Sequence, residues 1–136
     1  MGQEIKKRAY YFSLQIVRFI DSFGSRSIHS SLIDQLLRSA TSVGANLIEA
    51  RAAHSRKDFI KFYEIGLKSD NETKYWLCLL RDGFNLDRRK VEPLLNEADE
   101  ISKIIATIVI KLKRSRGPLP SVNEEHAAHL PFRLLS

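Results

Sequence analysis

One segment limits the possible folds more than any other: VEPLLNEADEISKIIATIVIKL, from Val91 to Leu112. Val91, Leu94, Ala98, Ile101, Ile105, Ile108 and Leu112 recur at alternating steps of three and four without a miss. That is the seam of an amphipathic helix, which must bury one side against other helices. Ile104, Val109 and Ile110 widen that side beyond what three neighbouring helices require, so ordinary core and an oligomer interface are about equally good explanations of it.

Three earlier segments carry the same period. Ala9, Phe12, Ile16, Phe19, Ile20 and Phe23 mark a first helix that Gly24 ends. After a serine-rich connection, Ser31 with Asp34 gives a capping signal, and a second helix runs from about there to Arg51. Ser55 with Asp58 repeats the start signal for a third helix. Its stripe is Phe59, Phe62, Gly66, Ser69, Thr73, Trp76, Leu77 and Leu80, and it stops near Asp82-Gly83. No stretch alternates with a period of two for long enough to suggest a strand. Gly117-Pro118-Leu119-Pro120 ends regular structure. Short connections make neighbours antiparallel, which predicts an all-α, up-down-up-down four-helix bundle over residues 1–116 and a C-terminal extended tail over 117–136.

At 136 residues the chain is long enough for one domain with its own core. Cys78 is the only cysteine, which excludes an intrachain disulfide and a multi-cysteine zinc site. His126 and His129 lack further ligands nearby, so no metal or cofactor is expected. The basic start Lys6-Lys7-Arg8 resembles the opening of a signal peptide, but Gln15, Arg18 and Asp21 break the apolar stretch after it. The apolar run Ile104–Ile110 is far too short to span a bilayer. A cytoplasmic protein that makes no membrane contact is expected.

Charge is where function begins to show. The predicted topology brings together the start of helix 1, the end of helix 2, the start of helix 3 and the end of helix 4. That pole collects Lys6, Lys7, Arg8, Arg51, Arg56, Lys57, Lys61, Lys111, Lys113, Arg114 and Arg116. Only Glu4, Glu49 and Asp58 oppose them, a local excess of eight charges where the whole chain carries +6. The opposite end mixes signs that nearly cancel. A concentrated basic pole attracts polyanions, nucleic acid first, and releases condensed counterions when it meets phosphates. Tyr10, Tyr11 and His54 lie near enough to offer stacking surfaces to a single strand. The helix macrodipole alone accounts for Lys111, Lys113 and Arg114 at a C-terminus. It does not account for Arg56, Lys57 and Lys61, which stand at an N-terminus where cations are disfavoured.

A second polar feature lies on helix 2, where Arg38, Ser42, Asn46 and Glu49 share one side. Counting back from a hairpin turn at residues 53 and 54 puts Arg38 level with Ser69 and one turn from Glu72. The expected arrangement is a structural clasp, with Arg38 paired to Glu72 and Ser69 assisting. Catalysis is not expected. Glu49 and Glu72 are roughly 18 Å apart in height from the 1.5 Å helical rise, and no nucleophile–base set, phosphate loop or metal motif is present.

The segments DQLLRSATSVGANLIEA and SRKDFIKFYEIGLKSDNE resemble the four-helix-bundle family of 23S rRNA intervening-sequence (S23) proteins. Gln35, Leu36, Arg38, Ser42, Asn46, Glu49, Phe59, Phe62, Ile65, Ser69 and Glu72 match its pattern, and the similarity covers about residues 8–112. Ala50, Lys68 and Asp70 depart from it, and Gly66 stands where alanine is common. The resemblance implies a homopentameric ring and suggests RNA binding. It extends to the accessory variability determinant of diversity-generating retroelements, a similar bundle that binds nucleic acid and a reverse transcriptase. Two functions are therefore expected to compete. One is a non-enzymatic oligomer that binds RNA or DNA through the basic pole. The other is a protein–protein adaptor, for example a reverse-transcriptase accessory subunit, that uses the wide side of helix 4 and the tail.

Overall fold

The computed structural model describes residues 2–23 and 29–115. Within them α1 spans Gly2–Asp21, α2 Ser30–Glu49, α3 Arg56–Gly83 and α4 Arg88–Arg114. Each helix packs on the next and α4 returns to α1, which closes the up-down-up-down ring expected from the short connections. Among the described residues there is no strand. The expected tail at 117–136, together with Gly24 and Arg116, lies outside the described residues.

Periodicity becomes burial most directly in α4. All seven seam residues, Val91 to Leu112, are buried, and they meet Phe12, Ile16, Leu36, Val43, Leu47, Tyr63 and Leu77 in one core. The wider side divides. Val109 joins the core, Ile104 packs on its margin, and Ile110 points outward at 50% exposure.

Helix ends follow local chemistry, with one correction. At α3 the Ser55 hydroxyl accepts from the Asp58 amide at 3.1 Å, the expected cap. At α2 the expected Ser31–Asp34 signal is not used. The helix begins at Ser30 behind His29, which makes no side-chain cap, so Ser31 already sits inside the first turn. The regular part of α2 ends at Glu49, and Ala50–Ala52 tighten into a 3-10 turn that carries Arg51. Between α3 and α4 the chain turns at Asn85, whose φ of 52° is the left-handed conformation asparagine tolerates. Asp87 then caps α4 by accepting from the Arg89 amide at 2.9 Å.

The α2–α3 register is about one turn away from the count made at residues 53 and 54. Ser42 was expected level with residue 65, yet its hydroxyl meets that of Ser69 at 2.9 Å, and Thr73 donates to Ser39 at 2.9 Å. Extended backbone at Ala53 and Ser55 carries the reversal further along the chain than a tight turn would.

Candidate nucleic-acid interface

At the end of the bundle where α3 starts and α4 finishes, an open groove of about 850 Å³ is lined by Arg56, Lys57, Asp58, Ile60, Lys61, Glu64, Leu112 and Lys113. Two contacts hold the helices together there. Arg56 Nη1 donates to the Leu112 carbonyl at 3.2 Å and so satisfies one of the open carbonyls at the end of α4. Lys113 Nζ reaches Glu64 at 3.1 Å. Lys57 and Lys61 are exposed on the rim.

The other expected basic residues divide into groups. Lys7, Lys111 and Arg114 are exposed and Arg51 is half-buried. Lys6 is buried at 3% exposure. Arg8 does not add to the excess, because its guanidinium grips Glu97 through two bonds of 2.8 Å and a neighbouring cation-carboxylate fork is electrically closed. Glu64, absent from the sequence count, belongs to the pole. Nine cations then face four carboxylates, Glu4, Glu49, Asp58 and Glu64, among the described residues, so the excess there is five where the sequence count over the same residues gives seven. Sequence periodicity could not show the Arg8–Glu97 fork, because it depends on how α1 leans across α4.

The far end behaves as expected. Arg81 bonds Asp82 and Glu92 at 2.8 Å each, and Arg89 bonds Asp87 at 3.2 Å, so signs cancel locally. Of the aromatic candidates near the pole, Tyr11 is 47% exposed with Tyr10 edge-on at 5.7 Å, and His54 is exposed.

The polar row on α2 becomes a different clasp from the one expected. Arg38, Glu49 and Glu72 are all exposed, and no ion pair joins Arg38 to Glu72. Glu72 lies about 120° and 140° around α3 from the buried Gly66 and Leu77 and is exposed to water, and its neighbours Ile65 and Leu79 belong to an outward stripe. The clasp is made of hydroxyls and one amide. Asn46 Nδ2 donates to the Ser42 carbonyl at 2.8 Å and to the Ser42 hydroxyl at 2.9 Å, and Ser42 bonds Ser69. One turn away Thr73 bonds Ser39 and the Ser69 carbonyl.

Asp70, which departs from the family pattern, occupies a core position. It is fully buried, its Oδ2 is hydrogen-bonded to Ser102, and its Oδ1 has no partner. Burial pushes its carboxyl up to about 6. Among the described residues no cluster of three histidine, cysteine or acidic side chains could hold a metal, and no helix is long and apolar enough to cross a membrane.

Comparison with known proteins places the chain on a recognised bundle. The family model described as 23S rRNA-intervening sequence protein matches residues 2–107. A crystal structure of a protein of unknown function from the S23 ribosomal protein family of Bacteroides thetaiotaomicron VPI-5482 is similar at 37% identity. It has a TM-score of 0.72, and the match covers 77% of this chain and 97% of that one. No curated protein matches the chain.

Proposed function

The chain belongs to the 23S rRNA-intervening sequence protein family, and from that premise we propose that it is a non-enzymatic, cytoplasmic, oligomeric bundle that binds nucleic-acid backbone through its basic pole. The observation that carries this reading is the groove at the start of α3. Arg56, Lys57 and Lys61 crowd a helix N-terminus, where the macrodipole opposes cations, and Lys57 and Lys61 stand exposed on the groove's rim. Holding exposed lysines against the dipole makes physical sense when a polyanion adds counter-charge at Lys57 and Lys61. The family description, naming an intervening sequence of ribosomal RNA, favours RNA over DNA as the first ligand to try.

The test uses the exposed lysines, because Arg56 also ties α3 to α4. RNA binding by the wild type should weaken steeply as salt rises. Lys57→Glu with Lys61→Glu should lower the slope of log affinity against log salt by about two while leaving the helical circular-dichroism spectrum unchanged. Equal slopes for the two proteins would remove this groove from the interface.

One observation favours the adaptor reading. Ile65, Tyr75 and Leu79 form an exposed apolar stripe on the outer side of α3, away from the basic pole. In that case the isolated protein would show little affinity for RNA at any salt and would instead form a stable complex with a partner protein.

A further inference from the structure

Lys6 is a lysine with its stem inside the bundle and no counter-ion. It is 3% exposed, and among the described residues its side chain makes no hydrogen bond or ion pair. Buried lysines are normally paired, because an unpaired ammonium away from water is costly. The nearest carboxylates in sequence, Glu4 and Glu49, are exposed and pair with neither Lys6 nor Arg51.

The register of α1 on α2 says where this ammonium goes. Gly44 lies against Ala9, and the Ser13 hydroxyl donates to the Ala40 carbonyl at 3.4 Å. Continuing that antiparallel count sets Lys6 level with Leu47, one turn short of Arg51. Side chains on a helix lean toward its N-terminus, so Lys6 leans toward Arg51 and the basic pole. The ammonium is absent from the fully enclosed, unpartnered polar atoms, which are Tyr63 Oη, Asp70 Oδ1 and Trp76 Nε1. Its stem is buried while Nζ keeps a small solvent contact on the side of the pole.

We propose that Lys6 and Arg51 form a phosphate-holding pair on the floor of the basic pole, where a backbone phosphodiester seats between an ammonium and a guanidinium that have no carboxylate partner among the described residues. The proposal rests on the nucleic-acid reading above and gives it a specific anchoring point. Two like charges held side by side without a carboxylate repel each other, and a phosphate between them turns that repulsion into attraction on both sides. Arg51 offers a fork that fits two phosphate oxygens, and Lys6 offers a point charge in a partly dry setting where it acts more strongly than on open surface.

The geometry has a consequence that separates it from general surface attraction. Burial, and then the Arg51 charge, lowers the Lys6 ammonium to about 8. A seated phosphate would restore it toward the ordinary lysine value, so binding takes up a proton above that pH. Affinity for a fluorescent, mixed-sequence single-stranded RNA should therefore fall about tenfold between pH 7 and pH 9. In Lys6→Met the fall should flatten, with weaker binding at pH 7. In Arg51→Gln the fall should move to higher pH, because the repelling charge is gone. A wild-type profile retained by Lys6→Met, with equal affinity, overturns the phosphate pair and leaves the groove at Lys57 and Lys61 standing. RNA bound by none of the three proteins overturns the nucleic-acid reading together with the pair.

Discussion

Asp70 and Lys6 are each buried where a charge is unfavourable, and their chemistry separates them. Ser102 lies within hydrogen-bonding distance of both Asp70 Oδ2 and the Ala98 carbonyl, yet a hydroxyl carries one hydrogen. If Ser102 donates to Ala98, as serines in helices do, Asp70 must supply the proton in its own bond. A neutral acid also leaves Oδ1 as an unpaired carbonyl rather than an unpaired charge. Burial pushes the carboxyl up most, the Ser102 bond and Lys74 on α3 pull it down, and Asp99 and Glu97 on α4 push it up. Its folded value of about 6 stands above the ordinary 3.8. The native state therefore holds a proton the unfolded chain releases, and this contribution to stability is full below about 4 and lost as pH rises through 6. Exposed carboxylates with lowered values, Asp82, Asp87 and Asp99, act in the opposite direction, so the difference between variants isolates the effect. Asp70→Asn should be more stable than wild type at pH 7.5, by about 1–3 kcal/mol, and about equal to it at pH 4. Urea midpoints at the two pH values check this, and parallel profiles would contradict the protonated Asp70.

Among the elements, the α2–α3 hairpin shows how small residues set helix spacing. Gly66 faces the Val43 carbonyl and the Leu47 side chain, each 3.4 Å from where a methyl would sit. That is ordinary contact, and alanine gains helix propensity of about 1 kcal/mol over glycine. Gly66→Ala should raise the thermal midpoint, whereas Gly66→Leu should lower it, because a larger side chain would push the helices apart and break the Ser42–Ser69 bond. Differential scanning calorimetry of the two variants distinguishes these outcomes. The existence of α3 and α4 and the ends of α3 were legible in the sequence, since a 3-4 rhythm and a serine cap act through neighbouring residues alone; the Asp87 cap that starts α4 was not read. The Arg38–Glu72 pair was not legible: the observed register brings Arg38 level with Thr73, beside Glu72, yet both side chains face water and the helices meet through Ser39, Ser42, Ser69 and Thr73 instead.

For the whole molecule, what remains outward is as informative as the core. Ile65, Tyr75 and Leu79 stay exposed along α3, and Ile110 along α4. A solvent-facing apolar stripe is stabilised by association, and we expect the homopentamer that the family resemblance implies. Multi-angle light scattering should give about five times the 15.6 kDa chain mass, and Ile65→Lys with Leu79→Lys should lower it. A monomeric wild type would contradict the ring and leave each basic pole to act singly. By itself the sequence determined the helices, their antiparallel order and the collection of cations at one end. These follow from hydrophobic period and short connections, which are local properties. Only the tertiary structure decided which cations keep their charge unpaired, closing Arg8 on Glu97, spending Lys113 on Glu64 and sinking Lys6 beside Arg51. Ion pairing falls off within a few ångströms, and at that scale helix tilt and register decide, neither of which is written in the residues of a single helix.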